Sequence, residues 1–136
     1  MTQSWNSAIQ QNWSGQFGPY NVTTTVTSGS DNQITVPSGD GRAYVMNVGG
    51  NSGVWPELRP GWTAAHEAGH LLGLRDHYDY NTIQPDTGWE HDIMGGRDKP
   101  PTENSILELI KVHSPHEIPV GFGGSQEPFG SQKPCP

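Results

Sequence analysis

Two histidines and a glutamate stand at a spacing that suits metal chemistry. His66, Glu67 and His70 belong to the pentapeptide His-Glu-Ala-Gly-His, in which the histidines are four positions apart. Residues four apart lie on the same face of an α-helix, so both imidazoles can reach one ion. Zinc is the ion that neutral histidine nitrogens favour at such sites, and Glu67 can address a metal-bound water. The pattern HExxH therefore predicts a zinc site with a general base beside it.

The residues that follow extend this pattern to HExxHxxGxxD. Gly73 stands where the helix would end, and we expect it to adopt the left-handed conformation of a C-terminal cap. That turn would bring Asp76 back towards the same ion as a third ligand. Two histidines and one carboxylate leave a fourth position for water, which is the open arrangement of a catalytic zinc site. A closed structural site would use a fourth protein ligand and has no use for Glu67.

The segment 66–78, His-Glu-Ala-Gly-His-Leu-Leu-Gly-Leu-Arg-Asp-His-Tyr, resembles the zinc-binding motif of the metzincin metallopeptidases. Most metzincins have histidine where this chain has Asp76. The small bacterial snapalysins are the branch whose motif ends in aspartate followed by His-Tyr. Residues 93–96, Ile-Met-Gly-Gly, resemble the Met-turn that metzincins carry below the metal. Metzincins often have a tyrosine two residues after that methionine, and this chain has Gly96 there.

The resemblance covers residues 60–112 and implies a role for each matching position. The zinc ligands would be His66, His70 and Asp76, and Glu67 would pass a proton from the zinc-bound water to the leaving amine. Met94 would be a structural floor below the ion and not a ligand. The strand expected at 42–48 would hold an extended peptide substrate by strand addition.

Two other residues compete with Asp76 for the place of third ligand. His77 adjoins Asp76 and is intrinsically the better zinc donor. Glu90 lies at about the distance at which a different class of zincins takes a glutamate ligand, but Met94 stands where that class has a second acid. Spacing and the resemblance favour Asp76, which would leave His77 at the surface or beside a ligand.

Further polar residues have simpler interpretations. Four acids in the long loop after the motif could bind calcium, but none of them forms a spaced calcium loop, so a solvated acidic loop is the simpler interpretation; they are Asp79, Asp86, Glu90 and Asp92. The histidines outside the motif, His91, His113 and His116, are most simply surface residues, although His91 could contact substrate. Cys135 is the single cysteine, and an idle thiol is its simplest interpretation.

Three helices and several short strands must position these side chains. Trp5, Ile9 and Trp13 recur at four-residue spacing and predict an N-terminal helix. Strands are expected at 20–27, 33–36 and 42–48, with Ala43, Val45 and Met46 inward on the last, and a loop at 49–60. The motif helix is expected at 61–74, a long functional loop at 75–101, and a last helix at 103–112 after an N-cap at Thr102.

These elements predict an α+β fold, and the resemblance to the metzincins implies that it is of the zincin type, with the motif helix as the floor of a cleft. With 136 residues the chain has room for one domain, which we place at 1–120, followed by a Gly-, Pro- and Ser-rich tail at 121–136 that we expect to be disordered. The tryptophans are expected to pack in the core or around a pocket.

Charge and hydropathy exclude several classes of partner. The net charge is −7 and the chain has no Lys/Arg cluster, so we expect neither nucleic acid nor an anionic membrane as the main partner. No apolar run approaches the length of a membrane-spanning helix, and the first 20 residues do not have the pattern of a signal peptide.

The sequence therefore predicts a zinc endopeptidase acting on a protein or peptide substrate as a monomer. The alternative is a catalytically idle, zinc-dependent binding module that keeps the zincin scaffold, against which intact Glu67 argues. Snapalysins are secreted, so the resemblance implies a secreted enzyme. A second hypothesis is that the chain is a peptidase effector domain of a bacterial toxin. An effector would be delivered by a secretion system and opposed by an immunity or inhibitor protein.

Overall fold

A computed structural model describes residues 2–114, and within that range the fold is α+β. The helices are α1 (Thr2–Asn12), α2 (Gly61–Leu72) and α3 (Glu103–His113). The strands are β1 (Gly15–Phe17), β2 (Tyr20–Val22), β3 (Gln33–Thr35), β4 (Tyr44–Val45) and β5 (Ser52–Val54). An N-terminal helix, small sheets, a motif helix and a last helix are compatible with the small zincin fold expected. The predicted tail, with Cys135, and His116 lie outside the described residues.

The N-terminal helix packs against the motif helix, and the predicted tryptophan stripe makes this contact. Trp5 and Trp13 are buried, and the indole Nε1 of Trp13 donates a hydrogen bond to the carbonyl of Ala65, 2.8 Å away. At Gly61 a Cβ atom would lie 2.7 Å from the Cβ of Ala8, so the two helices approach too closely there for a side chain. The motif helix is thereby fixed along one side.

The strands are shorter than predicted, and two of them, β1 and β5, lie outside the predicted strands. The strand expected at 20–27 is reduced to β2, which pairs antiparallel with β1. The strand expected at 42–48 is reduced to β4, in which Val45 is buried, whereas Met46 is 49% exposed and the inward orientation expected for it is wrong. The strand β5 lies inside the predicted loop 49–60 and is the centre of a second sheet, parallel to β3 and antiparallel to β4.

The central strand escaped prediction because its composition is that of a turn. At Gly53 a Cβ atom would lie 2.7 Å from the carbonyl oxygen of Tyr44 and 3.1 Å from the indole Nε1 of Trp55. Only glycine fits between these neighbours, yet glycine in a sequence favours a loop prediction. The order β3-β5-β4 leaves β4 at an edge of its sheet, as the strand expected to bind substrate requires.

A buried carboxylate joins residues 93–96, the segment that resembles a Met-turn, to α3. Asp92 Oδ1 accepts hydrogen bonds from the backbone N–H of Met94 (2.8 Å) and the hydroxyl of Ser105 (2.7 Å). Its Oδ2 accepts from the backbone N–H of Thr102 at 2.9 Å and from the Thr102 hydroxyl. The predicted N-cap is confirmed, because the Thr102 side chain also accepts from the backbone N–H of Asn104. Asp92 is therefore a structural anchor and not part of a calcium site.

We expect Asp92→Asn to destabilise the metal-free protein by about 2 to 4 kcal/mol. The amide nitrogen that replaces one carboxylate oxygen cannot accept a hydrogen bond, so buried donors would lose their acceptor. Urea unfolding followed by circular dichroism measures this change. The matched control is Asp31→Asn, an exposed site where we expect less than about 0.5 kcal/mol. Equal stabilities of the two variants would contradict the role of Asp92 as an anchor.

Candidate metal centre

The end of α2 turns the chain as the sequence predicted. Gly73 follows the last helical residue with φ 112°, in the left-handed region, and its N–H bonds back to the carbonyls of Gly69 and His70. A Cβ atom at Gly73 would also lie 2.9 Å from Val112 Cγ1, so α3 passes close to this turn. The turn sends the chain back along the helix face that carries the two histidines, which brings Asp76 beside them.

Three side-chain atoms converge at this point. Nε2 of His66 lies 3.2 Å from Nε2 of His70, and Oδ1 of Asp76 lies 3.1 Å from each of them. The side chains are buried, with exposed fractions of 4%, 0% and 1%. Ligands of a tetrahedral zinc ion at roughly 2.0 to 2.1 Å from it are about 3.3 to 3.4 Å apart. The triangle therefore fits a zinc ion with little rearrangement.

The other nitrogen of each imidazole determines which atom faces the metal. Nδ1 of His66 donates to the carbonyl of Ile93 at 2.8 Å, and Nδ1 of His70 donates to the carbonyl of Leu74 at 2.7 Å. With the proton on Nδ1, each neutral ring has its lone pair on Nε2, pointing into the triangle. Two lone pairs and a carboxylate oxygen this close together are favourable only around a proton or a metal cation.

Glu67 is fully buried beside this triangle. Its Oε2 lies 3.9 Å from Nε2 of His66. His66, Glu67 and His70 each offer one possible ligand atom, and these three atoms lie within 4.8 Å of one another. The carboxylate therefore lies beside the triangle without replacing Asp76 in it. This position suits a group that exchanges a proton with a bound water.

Met94 lies against the motif helix. The side chain is fully buried, and its Sδ would be 2.7 Å from a Cβ atom at Gly69, between the two histidines of the motif. Trp13 approaches the same point, at 3.0 Å from that Cβ. The glycine in HExxH is therefore a packing requirement, since any side chain would push the helix away from the floor of the site.

Protonation of the metal-free triangle follows from its charges. Burial lowers the pKa of His66, but the hydrogen bond to Asp76 and the carboxylates of Glu67 and Asp76 outweigh it, so the pKa is raised above 6.5. Burial raises the pKa of Asp76, but the hydrogen bonds and charges of His66 and His70 hold it well below its usual range. In the metal-free protein these carboxylates therefore favour the protonated form of His66.

The competing ligands lie elsewhere. His77 is buried with Nε2 2.9 Å from Glu108 Oε2 on α3, and its ring stacks on Trp89 with centroids 3.5 Å apart. Its backbone N–H donates to the carbonyl of Met94 at 2.8 Å, so His77 connects the ligand loop to both α3 and the Met-turn. Glu90 is exposed and accepts a hydrogen bond from the backbone N–H of Gly88. Neither side chain joins the triangle.

The remaining polar residues that the sequence singled out are scattered. Asp79 Oδ1 accepts from the backbone N–H groups of Asn81 and Thr82, so this acid closes its own loop. Asp86 Oδ2 lies 3.7 Å from His77 Nδ1. His91 is exposed, and His113 bonds to the carbonyl of Leu72. The acids of the long loop therefore have separate partners and do not form a calcium site among the described residues.

A cavity of about 350 Å³ opens beside the triangle and shares His66 with it. Trp62 and Tyr78 are among its walls, and so is Ile83, which is 46% exposed. Ile83 has φ 61°, a strained conformation for a β-branched residue, and its N–H donates to the carbonyl of Asp79 at 2.7 Å. The sequence did not single out Ile83, because no local pattern marks a residue for this conformation.

Tyr80 is a second residue that the sequence analysis missed. Its hydroxyl donates to Oδ2 of Asp76 at 3.0 Å. Tyr80 is four positions after Asp76 in an irregular loop, so spacing gave no reason to expect the contact. A search for donors near the third ligand would have considered it, since groups around a metal ligand are commonly hydrogen-bonded.

Comparison with known proteins gives one partial match. The chain is similar to an extracellular small neutral protease of Streptomyces sp. (strain C5), with 37% identity over 79 residues. These residues are 57% of this chain and 33% of the relative, so the match spans about a third of the relative's length. No family model matches the chain, and no solved structure matches it.

Because the proton on His66 occupies a ligand atom, we expect zinc affinity to fall as the pH decreases through the raised pKa of His66. Below that pKa the affinity should decrease by about tenfold per pH unit, and above it the dependence should flatten. Competition with a chromophoric chelator between about pH 5.5 and 8 measures it. We expect the same profile from His91→Gln. A constant affinity over this range would contradict the protonation of His66.

Proposed function

We propose that this chain is a zinc-dependent endopeptidase with His66, His70 and Asp76 as metal ligands and Glu67 as general base. The observation that carries the proposal is the buried triangle of ligand atoms with a second carboxylate beside it, at the edge of a cavity. Similarity to a protein named as a protease supports the same conclusion. The donor set of two imidazoles and one carboxylate is typical of catalytic zinc.

The residues of the site divide the work of peptide hydrolysis. A zinc ion bound here supplies Lewis acidity for the scissile carbonyl and for the attacking water. Glu67 accepts a proton from that water and transfers it to the nitrogen of the leaving amine. The carbonyls of Ile93 and Leu74 hold both imidazoles in the tautomer that keeps Nε2 free of a proton. Burial of these groups strengthens every charge interaction during the reaction.

The substrate would lie across the triangle between the edge strand and the cavity. The strand β4 has β5 on one side only within its sheet, so its outer edge can pair with an extended peptide. A side chain next to the cleaved bond would enter the cavity, whose walls include Trp62, Tyr78 and Ile93. Because these walls are mainly apolar, an apolar side chain would lose the least hydration energy there.

The relative's name favours an extracellular enzyme, and we propose secretion for this chain as well. None of the helices in residues 2–114 has the length and apolar character needed to cross a membrane. Delivery as a toxin effector opposed by an immunity protein is a hypothesis from the sequence alone.

We expect Glu67→Gln to lose about 10²- to 10⁴-fold of the cleavage rate while still binding one zinc ion per chain, because the amide cannot accept the proton of the attacking water. Zinc-loaded protein is incubated with an unfolded protein mixture, and fragments are identified by mass spectrometry. Glu103→Gln is the matched control, since Glu103 is exposed at the start of α3. We expect this control to cleave at the wild-type rate.

The two candidate functions give different results in this assay. Fragments from the wild type and from Glu67→Gln at equal rates would contradict the role of Glu67. No fragments from the wild type, with one zinc bound and the substrates unfolded, would contradict a general endopeptidase and favour the catalytically idle binding module.

A further inference from the structure

The two oxygens of Asp76 have different surroundings. Oδ1 lies 3.1 Å from Nε2 of both His66 and His70 and faces the position of the metal. Oδ2 accepts a hydrogen bond of 3.0 Å from the hydroxyl of Tyr80. Since the carboxylate is almost completely buried, its two oxygens cannot exchange places without breaking these contacts.

The loop that carries Tyr80 is built to keep the hydroxyl there. Asp79 Oδ1 accepts from the backbone N–H groups of the two residues after Tyr80, at 2.7 and 3.0 Å, which fixes the backbone around the tyrosine. The ring of Tyr80 packs edge-on against the ring of Tyr78, with centroids 5.4 Å apart and an angle of 81° between the planes. Tyr80 is 38% exposed, so it approaches Asp76 from the open side of the site.

A carboxylate can bind a metal ion through one oxygen or through both, and a hydrogen bond to one oxygen favours the first mode. The donor occupies a lone pair of Oδ2 and withdraws charge from it, which makes Oδ2 a weaker ligand. Ligation through both oxygens would also fill the coordination position that an attacking water needs.

We propose that Tyr80 is a positioning residue that restricts Asp76 to ligation through Oδ1. This inference rests on the proposed zinc site. The hydroxyl of Tyr80 holds Oδ2 away from the ion, so that the site keeps three protein ligand atoms and one open position. The phenol touches neither the metal nor the substrate in this role and acts only through Asp76.

The experiment compares wild-type protein with Tyr80→Phe, which removes the hydroxyl and keeps the ring against Tyr78. Zinc affinity is measured by chelator competition, and the visible absorption of the cobalt(II)-loaded protein reports coordination number, because four-coordinate cobalt(II) absorbs more strongly than five-coordinate cobalt(II). Tyr20→Phe is the matched control, since it removes a phenol hydroxyl from β2. Thermal unfolding of the metal-free proteins confirms that all three are folded.

We expect Tyr80→Phe still to bind both metals and to give a less intense cobalt(II) spectrum, because Oδ2 becomes available as a further ligand atom, with the metal-free variant still folded at the assay temperature. Tyr20→Phe should match the wild type in affinity and spectrum. A Tyr80→Phe variant with wild-type affinity and spectrum overturns the inference. Weaker affinity with an unchanged cobalt(II) spectrum overturns it as well, because the ligation mode would then not depend on the hydroxyl. Failure of the wild type to bind either metal would instead overturn the proposed zinc site.

Discussion

The convergence of three buried lone-pair atoms is the constraint on which the rest of this structure depends. Nε2 of His66, Nε2 of His70 and Oδ1 of Asp76 are held 3.1 to 3.2 Å apart, and their side chains are buried. Such an arrangement repels itself unless a cation lies within it. The fold must therefore fix the three groups firmly against this repulsion.

Different parts of the chain hold the two histidines and Asp76 in place. The histidines are held by α2, which packs on α1, and by carbonyl acceptors at Ile93 and Leu74. Asp76 is held by the left-handed turn at Gly73 and by the neighbouring contact of His77 with Glu108 on α3. The Met-turn below is attached to α3 through Asp92. The irregular segment between α2 and α3 thus makes specific contacts that hold the three side chains in place.

Near the cavity and beside Asp76, by contrast, residues of the site are exposed to solvent. Ile83 is exposed and strained at the edge of the cavity, and Tyr80 approaches Asp76 from solvent. A residue in an unfavourable backbone conformation persists only where its surroundings determine it, and such residues are common at binding sites. The buried supports of the triangle are therefore accompanied by exposed residues at the cavity edge and beside Asp76.

Local features of the site and of the helices could be predicted from the sequence. Positions four apart on one helix, a glycine able to adopt positive φ, and a threonine able to cap α3 are properties of short segments, and the structure has them at His66 and His70, at Gly73 and at Thr102. The sequence could not predict the pairing of the strands, because strand partners are distant in sequence and Gly53 in the central strand is typical of a turn.

The choice between Asp76 and His77 as the neighbour of the two histidines depends on contacts in the folded chain. Adjacent residues in an irregular segment point in different directions, and which of them turns inward depends on contacts with elements far along the chain. Here Glu108 and Trp89 contact His77, while the hydroxyl of Tyr80 donates a hydrogen bond to Oδ2 of Asp76. Hydrogen bonds and ring stacking across a fold leave no periodic signal in a sequence, so these contacts could be found only in three dimensions.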